Sequence, residues 1–260
     1  MTGMPSSFSP IKHTEAALER TCLVDGYIRA FVTMLPESAR TEAKASEARM
    51  AAGQSFGPLD GIPFAVKDNI AVAGLPTRCG TLALSAPAHK DATVVARLRA
   101  AGAVLLGTLN MHEGALGGTT DNPFWGRCMN PLKHGYTPGG SSGGSAAAIT
   151  SGIVPVTLGT DTMGSVRIPA AYCGLWGLKP TKGRVPATGM THLSWTLDTI
   201  GPLARDPGTL GAILSVIEGP DAADLLNTPL NADQPQPTTL VGLRLGVPDA
   251  ANLAVCEDIV

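Results

Sequence analysis

Residues Thr137–Ser165, TPGGSSGGSAAAITSGIVPVTLGTDTMGS, decide how this chain is read. The stretch opens with four glycines and three serines in the seven positions 139–145. An alanine-rich segment follows directly, then an aliphatic and β-branched run, then a second cluster of small residues ending at Ser165. Three readings compete: a flexible linker, a phosphate cradle and part of a catalytic site. A linker is flanked by loops or by a shift in composition, whereas a helix former and a strand former abut these glycines. A phosphate loop carries a lysine after its last glycine. Position 145 is serine, and no lysine lies between Lys133 and Lys179. The remaining reading is a backbone that glycine lets approach a reacting group, with serine hydroxyls at a helix start.

Outward from this stretch, helical and strand patterns alternate. Residues 13–24 read as a short helix. Residues 36–52 read as a clearer one, with Pro36 in the first turn, an alanine-rich interior and Gly53 past the end. DATVVARLRAAG, 91–102, reads as a helix with Asp91 as N-cap and Gly102 beyond its end. Further helices fit 142–152 and 206–219, the latter with Asp206 as cap and Pro207 after it. IPFAVKDN (62–69), AVLLGT (103–108), VPVTLGT (154–160) and LVGLRLGVP (240–248) read as strands. These strands are continuously apolar rather than alternating, which predicts an α/β sheet covered on both faces. GPDAADLLNTPLNADQPQPTT, 219–239, reads as an exposed surface segment.

Composition narrows the function classes. The 260 residues are 44% hydrophobic and 15% charged, a folded rather than disordered composition. With a formal net charge of −2 and no basic patch, neither nucleic acid nor a membrane surface is expected as partner. No apolar run reaches 18 residues, and the first twenty residues lack the apolar core of a secretion signal. Five scattered cysteines without a CxxC suit reduced thiols, so a cytoplasmic location is expected. Without HExxH, clustered Cys and His or paired acidic motifs, no metal and no organic cofactor are expected.

GGSSGGSAAAITSGIVPVTLGTDTMGSVRIPAAYCGLWGLKPTKGRV, 139–185, resembles the signature region of the amidase-signature family of serine hydrolases. GPLDGIPFAVKDNIAVAGLPTRCGT (57–81), GTLNMHEGALGGTTDNPFWGRCMNP (107–131) and LDTIGPLARD (197–206) resemble further blocks of that family in the same order. The resemblance implies an α/β amidase-signature fold: a central mixed twisted sheet flanked by helices on both faces, truncated at the C-terminus relative to the family. It implies one domain over 1–260, with an N-terminal helical arm to about 54, a catalytic core over about 55–218, an exposed linker over about 219–238 and a last strand over about 239–248. It implies a Ser–cis-Ser–Lys triad of Ser165 as nucleophile, Ser141 as the bridging serine on a cis peptide bond, and Lys67 as base. It also implies an oxyanion hole from the backbone N–H groups of Thr162, Met163, Gly164 and Ser165. Ser142, Asp161 and Arg167 are supporting residues in this reading. The activity implied is hydrolysis of a small-molecule amide through an acyl-enzyme. A homodimer or a completing partner chain would supply whatever the chain lacks.

The residue types suit that chemistry on independent grounds. A serine hydroxyl needs a base within hydrogen-bond reach, and none of His13, His89, His112, His134 and His192 lies in a triad-like motif. Lysine serves as base only when neutral, which requires burial to lower its pKa from about 10.4 towards ~7–8. Lys67, at the end of an apolar strand, is suited to that. The plain alternatives are a strand-closing role for Lys67, a helix cap for Ser141, and a solvated ion pair for Asp161 and Arg167. The sequence departs from the family at Met163, where glycine is usual. If φ there were positive, Met163 would cost about 1–3 kcal/mol. Amidotransferase subunits of the same family, which act as glutaminases, typically carry glutamine where this chain has Ile168. That glutaminase and a non-catalytic fragment are the alternatives to an amidase.

Overall fold

The computed structural model describes residues 8–228 together with 241, 242 and 244. Met1–Leu230 form one compact unit and Asn231–Val260 a second, and every element described belongs to the first. In chain order these are α1 (Pro10–Ile28), β1 (Phe31–Met34), α2 (Pro36–Ala51), β2 (Pro63–Lys67), α3 (Thr93–Ala100), β3 (Val104–Leu109), β4 (Asp121–Asn122), β5 (Gly126–Arg127), α4 (Gly143–Thr150), β6 (Val156–Asp161), α5 (Arg167–Tyr172), β7 (Trp176–Gly177), β8 (Thr199–Ala204) and α6 (Pro207–Ile217).

Six of the strands form one sheet in the order β1-β3-β2-β6-β8-β7. Its centre, β3-β2-β6, is parallel, and the flanking strands run antiparallel. The sheet is mixed, as the resemblance implied. Each of β2, β3, β6 and β8 is buried along its whole length, as continuous apolar runs require when both faces are covered. Side chains alternate between the faces. Phe64, Val66, Leu105 and Leu158 join Val95 and Leu98 of α3 and Ile213 of α6 in one core. Ala65, Val104 and Leu106 join Leu18 of α1, Ala39 and Ala43 of α2 and Ala146–Ile149 of α4 in the other.

Local signals placed most helices. Pro36 and Pro207 occupy first turns, and Asp206 caps α6 by accepting from Thr209 N–H at 2.8 Å. The helix expected at 13–24 is longer, because Ser9 caps it by accepting from Lys12 N–H. Asp91 is not the cap of α3. The N-cap is Ala92 without a side-chain bond, and Asp91 Oδ1 instead accepts from Ala73 N–H at 2.7 Å. Tertiary demand for an acceptor outweighed the local cap. The segment after α6 is pinned: Asp221 accepts from the Thr93 hydroxyl at 2.6 Å and Asp224 from Ala187 N–H at 2.7 Å. The strand expected at 240–248 lies outside the described residues apart from 241, 242 and 244.

Candidate active site

β2 and β6 run parallel with Val66 opposite Leu158, so their C-terminal ends lie side by side. Ligands of open α/β sheets bind at such ends. Lys67 closes β2 and Asp161 closes β6. The loop before α4 and the loop after β6 meet there, joined by Ser142 N–H donating to Ser165 O at 3.2 Å.

Lys67 is fully buried. Its Nζ lies 2.7 Å from Ser141 Oγ, 2.8 Å from Thr160 Oγ1 and 3.5 Å from Thr160 O. Burial pushes the Lys67 ammonium down to about 7, against smaller opposing pulls from Cys79, Asp161 and Asp198. Lys67 does end a strand, but a buried one, so the alternative of an exposed strand end does not describe this residue. The Gly140–Ser141 peptide bond is cis. Around it, the Thr120 hydroxyl donates to Gly139 O at 2.8 Å and accepts from Gly143 N–H at 3.0 Å. Gly144 N–H donates to Asn110 O at 3.1 Å. The first amides of α4 are thus taken by protein acceptors, which disposes of the phosphate cradle. Gly144 is fixed by close approach, since a Cβ there would stand 2.4 Å from Asn110 O and 2.7 Å from Ala30 O.

Ser142 is the N-cap residue of α4, but its side chain makes no cap bond. Its hydroxyl donates to Thr160 O at 3.2 Å and accepts from Thr160 N–H at 3.3 Å, stitching the helix start to the end of β6. Neither Ser141 nor Ser142 caps α4 through its side chain.

Ser165 is half-buried and faces a cavity of about 260 Å³. Its hydroxyl has no hydrogen-bond partner among the described residues. Of the four expected oxyanion donors, the N–H groups of Thr162, Met163 and Ser165 have no acceptor among the described residues. Gly164 departs from the expectation: its N–H donates to Asp161 Oδ1 at 2.7 Å. The reason is that Asp161 is fully buried and must collect donors. It also accepts from Val166 N–H at 3.1 Å and from Arg167 Nε and Nη2 at 3.0 Å each. Burial pushes the Asp161 carboxyl up, and the Arg167 fork with the amides more than offsets that and holds it below its ordinary range. The pair is solvated on one side only: Asp161 is fully buried, while the Arg167 side chain is 53% exposed. Met163 is not strained: the left-handed position of the loop, φ +123°, falls on Gly164, and Met163 is exposed.

Sequence reasoning missed Thr160, Thr120, Asn69 and Asp198. Thr160 Oγ1 accepts from both Lys67 and Asn69 Nδ2, the latter at 3.1 Å. Asp198 is buried, accepts from the Thr162 hydroxyl, and holds Leu193 and Ser194 N–H at 2.7 and 2.9 Å. It links the loop after β6 to the loop at 193–194. Thr160 and Asn69 sit within quoted motifs, so their place at strand ends was the available signal. Asp198 also lies in a quoted block, LDTIGPLARD, but its bonding gave no local signal, because its partners Thr162 and Leu193 are 36 and 5 residues away. His192 Nδ1 lies 3.4 Å from Asp198 Oδ2, a pairing the sequence did not suggest. Among the described residues, no group of three or more His, Cys, Asp or Glu could hold a metal ion, and no helix is long and apolar enough to cross a membrane.

The family model "Amidase" matches residues 12–258. A glutamyl-tRNA(Gln) amidotransferase subunit from Chloroflexus aurantiacus is 46% identical over 245 residues, covering 92% of this chain and 50% of that protein. The peptide amidase of Stenotrophomonas maltophilia superposes with a TM-score of 0.81 at 36% identity, over 87% of this chain and 48% of that one. A structure described as a vestigial protein complex revealing the origins of an s-triazine catabolic enzyme gives 0.83 at 44% identity, over 85% and 49%. The chain spans about half the length of the curated relatives it matches. With a family model over most of its length and relatives sharing its fold at such identity, the chain belongs to the amidase (amidase-signature) family.

Proposed function

We propose that this chain carries the acyl-transfer site of an amidase, with Ser165 as nucleophile, Ser141 as proton relay and Lys67 as base. The observation that carries the reading is the buried Lys67 Nζ at 2.7 Å from Ser141 Oγ. A buried lysine with a pKa near 7 is substantially neutral at neutral pH. A neutral amine offers two N–H groups and one lone pair. Thr160 Oγ1 and Thr160 O accept the N–H groups, so the lone pair faces the Ser141 hydroxyl proton. Ser141 in turn accepts the proton of Ser165 as its oxygen adds to the amide carbon.

The carbonyl oxygen becomes an oxyanion held by the unused N–H groups of Thr162, Met163 and Ser165. Lys67 returns its proton through Ser141 to the departing amine, leaving an ester on Ser165. Water then repeats the sequence and releases the acid. The substrate is a small-molecule amide, and the proposed assembly is a homodimer or a complex with a second chain.

A second reading, the glutaminase component of an amidotransferase, is favoured by the names of the 46%-identical relatives. Ile168, where that group typically carries glutamine, speaks against it. The test is labelling of the purified chain with a serine-reactive fluorophosphonate, followed by peptide mapping. The adduct is expected on Ser165 and absent from Ser165→Ala. Labelling that survives the substitution would sink the assignment, and a chain that never labels would favour a non-catalytic fragment.

A further inference from the structure

We infer that the cavity beside Ser165 is a pocket for a short, uncharged, apolar acyl group. The inference rests on the proposed acyl transfer and names its substrate class. The walls are the side chains of Leu116, Met163, Ile168 and Leu193, the rest being glycine backbone, Ala115 and Thr162 beside the nucleophile. None of the lining residues is ionisable. Three of the four large apolar walls are exposed: Leu116 at 65%, Met163 at 71% and Leu193 at 37%. Apolar side chains left in water around a single concavity mark a binding surface.

The volume of about 260 Å³ falls just below the ~300–1,000 Å³ of pockets for drug-sized ligands, which suits a short chain or one ring. Arg167, the cation adjacent in sequence, is already committed to Asp161 through both Nε and Nη2. A zwitterionic amino-acid head such as that of glutamine would lose its water here and gain no partner charge from the residues that line the cavity. A methyl, propyl or phenyl group would lose only unfavourable hydration.

Two measurements test the inference. The first is kcat/KM for release of ammonia from acetamide, butyramide, benzamide, succinamate and glutamine, with acyl-Ser165 read by mass spectrometry. Rates are expected to rise about 3–10-fold per added methylene until the pocket is full, and to fall about 10²-fold or more for succinamate and glutamine. Leu116→Arg, at an exposed position that need not disturb folding, should narrow the gap between butyramide and succinamate at least tenfold. Ile168→Gln should do the same for glutamine. Equal or better turnover of glutamine or succinamate by the unaltered chain overturns the inference while leaving Ser165 as nucleophile. The second is calorimetric binding of benzamide and glutamine to Ser165→Ala. Benzamide binding without any acylation of the unaltered chain would sink the hydrolase reading and support the pocket. Absence of benzamide binding would overturn the pocket.

Discussion

The two faces of the central sheet are built from different side chains. Towards α3 and α6 the buried residues are large: Phe64, Val66, Leu98, Leu105, Leu158, Ile200 and Ile213. Towards α4 small residues, Ala65 and Ala146–Ala148, are set among large ones such as Leu106, Leu109, Ile149 and Leu203, and the hydroxyls of Ser145 and Thr157 are bonded to backbone carbonyls of the facing element. Bulk on one side removes apolar area from water, at roughly 25 cal/mol per Å². Small residues on the other let α4 press against the strands, so that Ser141 and Ser142 reach the ends of β2 and β6. One face stabilises the sheet and the other places the site. Substitutions should therefore separate: stability should respond on the first face and chemistry on the second.

The largest expected effect breaks the polar side. Lys67→Ala and Ser141→Ala should each slow acylation of Ser165 by about 10²–10⁴, the usual worth of a positioned proton-transfer group. Circular dichroism should show both variants folded. Near-normal acylation by Lys67→Ala at neutral pH would mean that another group is the base.

The next breaks the apolar side. Leu158→Ala removes a fully buried side chain and should cost about 2–5 kcal/mol in denaturant unfolding. Fluorophosphonate labelling of the fraction that remains folded should be unchanged. A loss of labelling in folded Leu158→Ala would show that the two faces are not separable.

The smallest sharpens the comparison by asking whether Lys67 is held neutral. Its folded pKa, about 7, is depressed below the unfolded value. Between those values the unfolded chain binds the extra proton, so stability rises with pH. Asp68 acts oppositely: burial raises its carboxyl to about 7, so its contribution falls as pH rises, but that change is essentially over above pH 7. Cys79, raised above its ordinary value by burial, acts only at higher pH still. From pH 7 to 8.5 Lys67 should therefore add up to about 2 kcal/mol to the unfolding free energy. The rise should vanish in Lys67→Met. A pH-independent stability in this window would mean that Lys67 stays charged, and the relay as drawn could not run.

How much was legible follows from where each signal resides. α2, α6, β2, β3 and β6 announce themselves through local patterns: Pro in the first turn, glycine past the end, unbroken aliphatic runs. β1 has four half-buried residues and no periodicity to detect. β8 contains Gly201-Pro202, which reads as a turn, yet it pairs with β6 along six residues, Pro202 opposite Leu158. Pairing with a neighbour distant in sequence overrode the local preference. The same holds at Gly164, whose N–H was an oxyanion candidate until a buried Asp161 claimed it.

The sequence by itself determined the residue types, their order and that the central strands are covered on both faces, because backbone geometry and apolar pattern are local properties. It also offered the candidate serines and lysine, through blocks that resemble the amidase-signature family. Only the tertiary structure decided that Lys67 meets Ser141 across 74 residues, that Thr160 and Ser142 hold the two loops together, and that Asp198 ties in a third. The physical reason is that a proton relay depends on desolvation and on distances of a few tenths of an ångström. Both are sums over neighbours that the chain brings together only by folding.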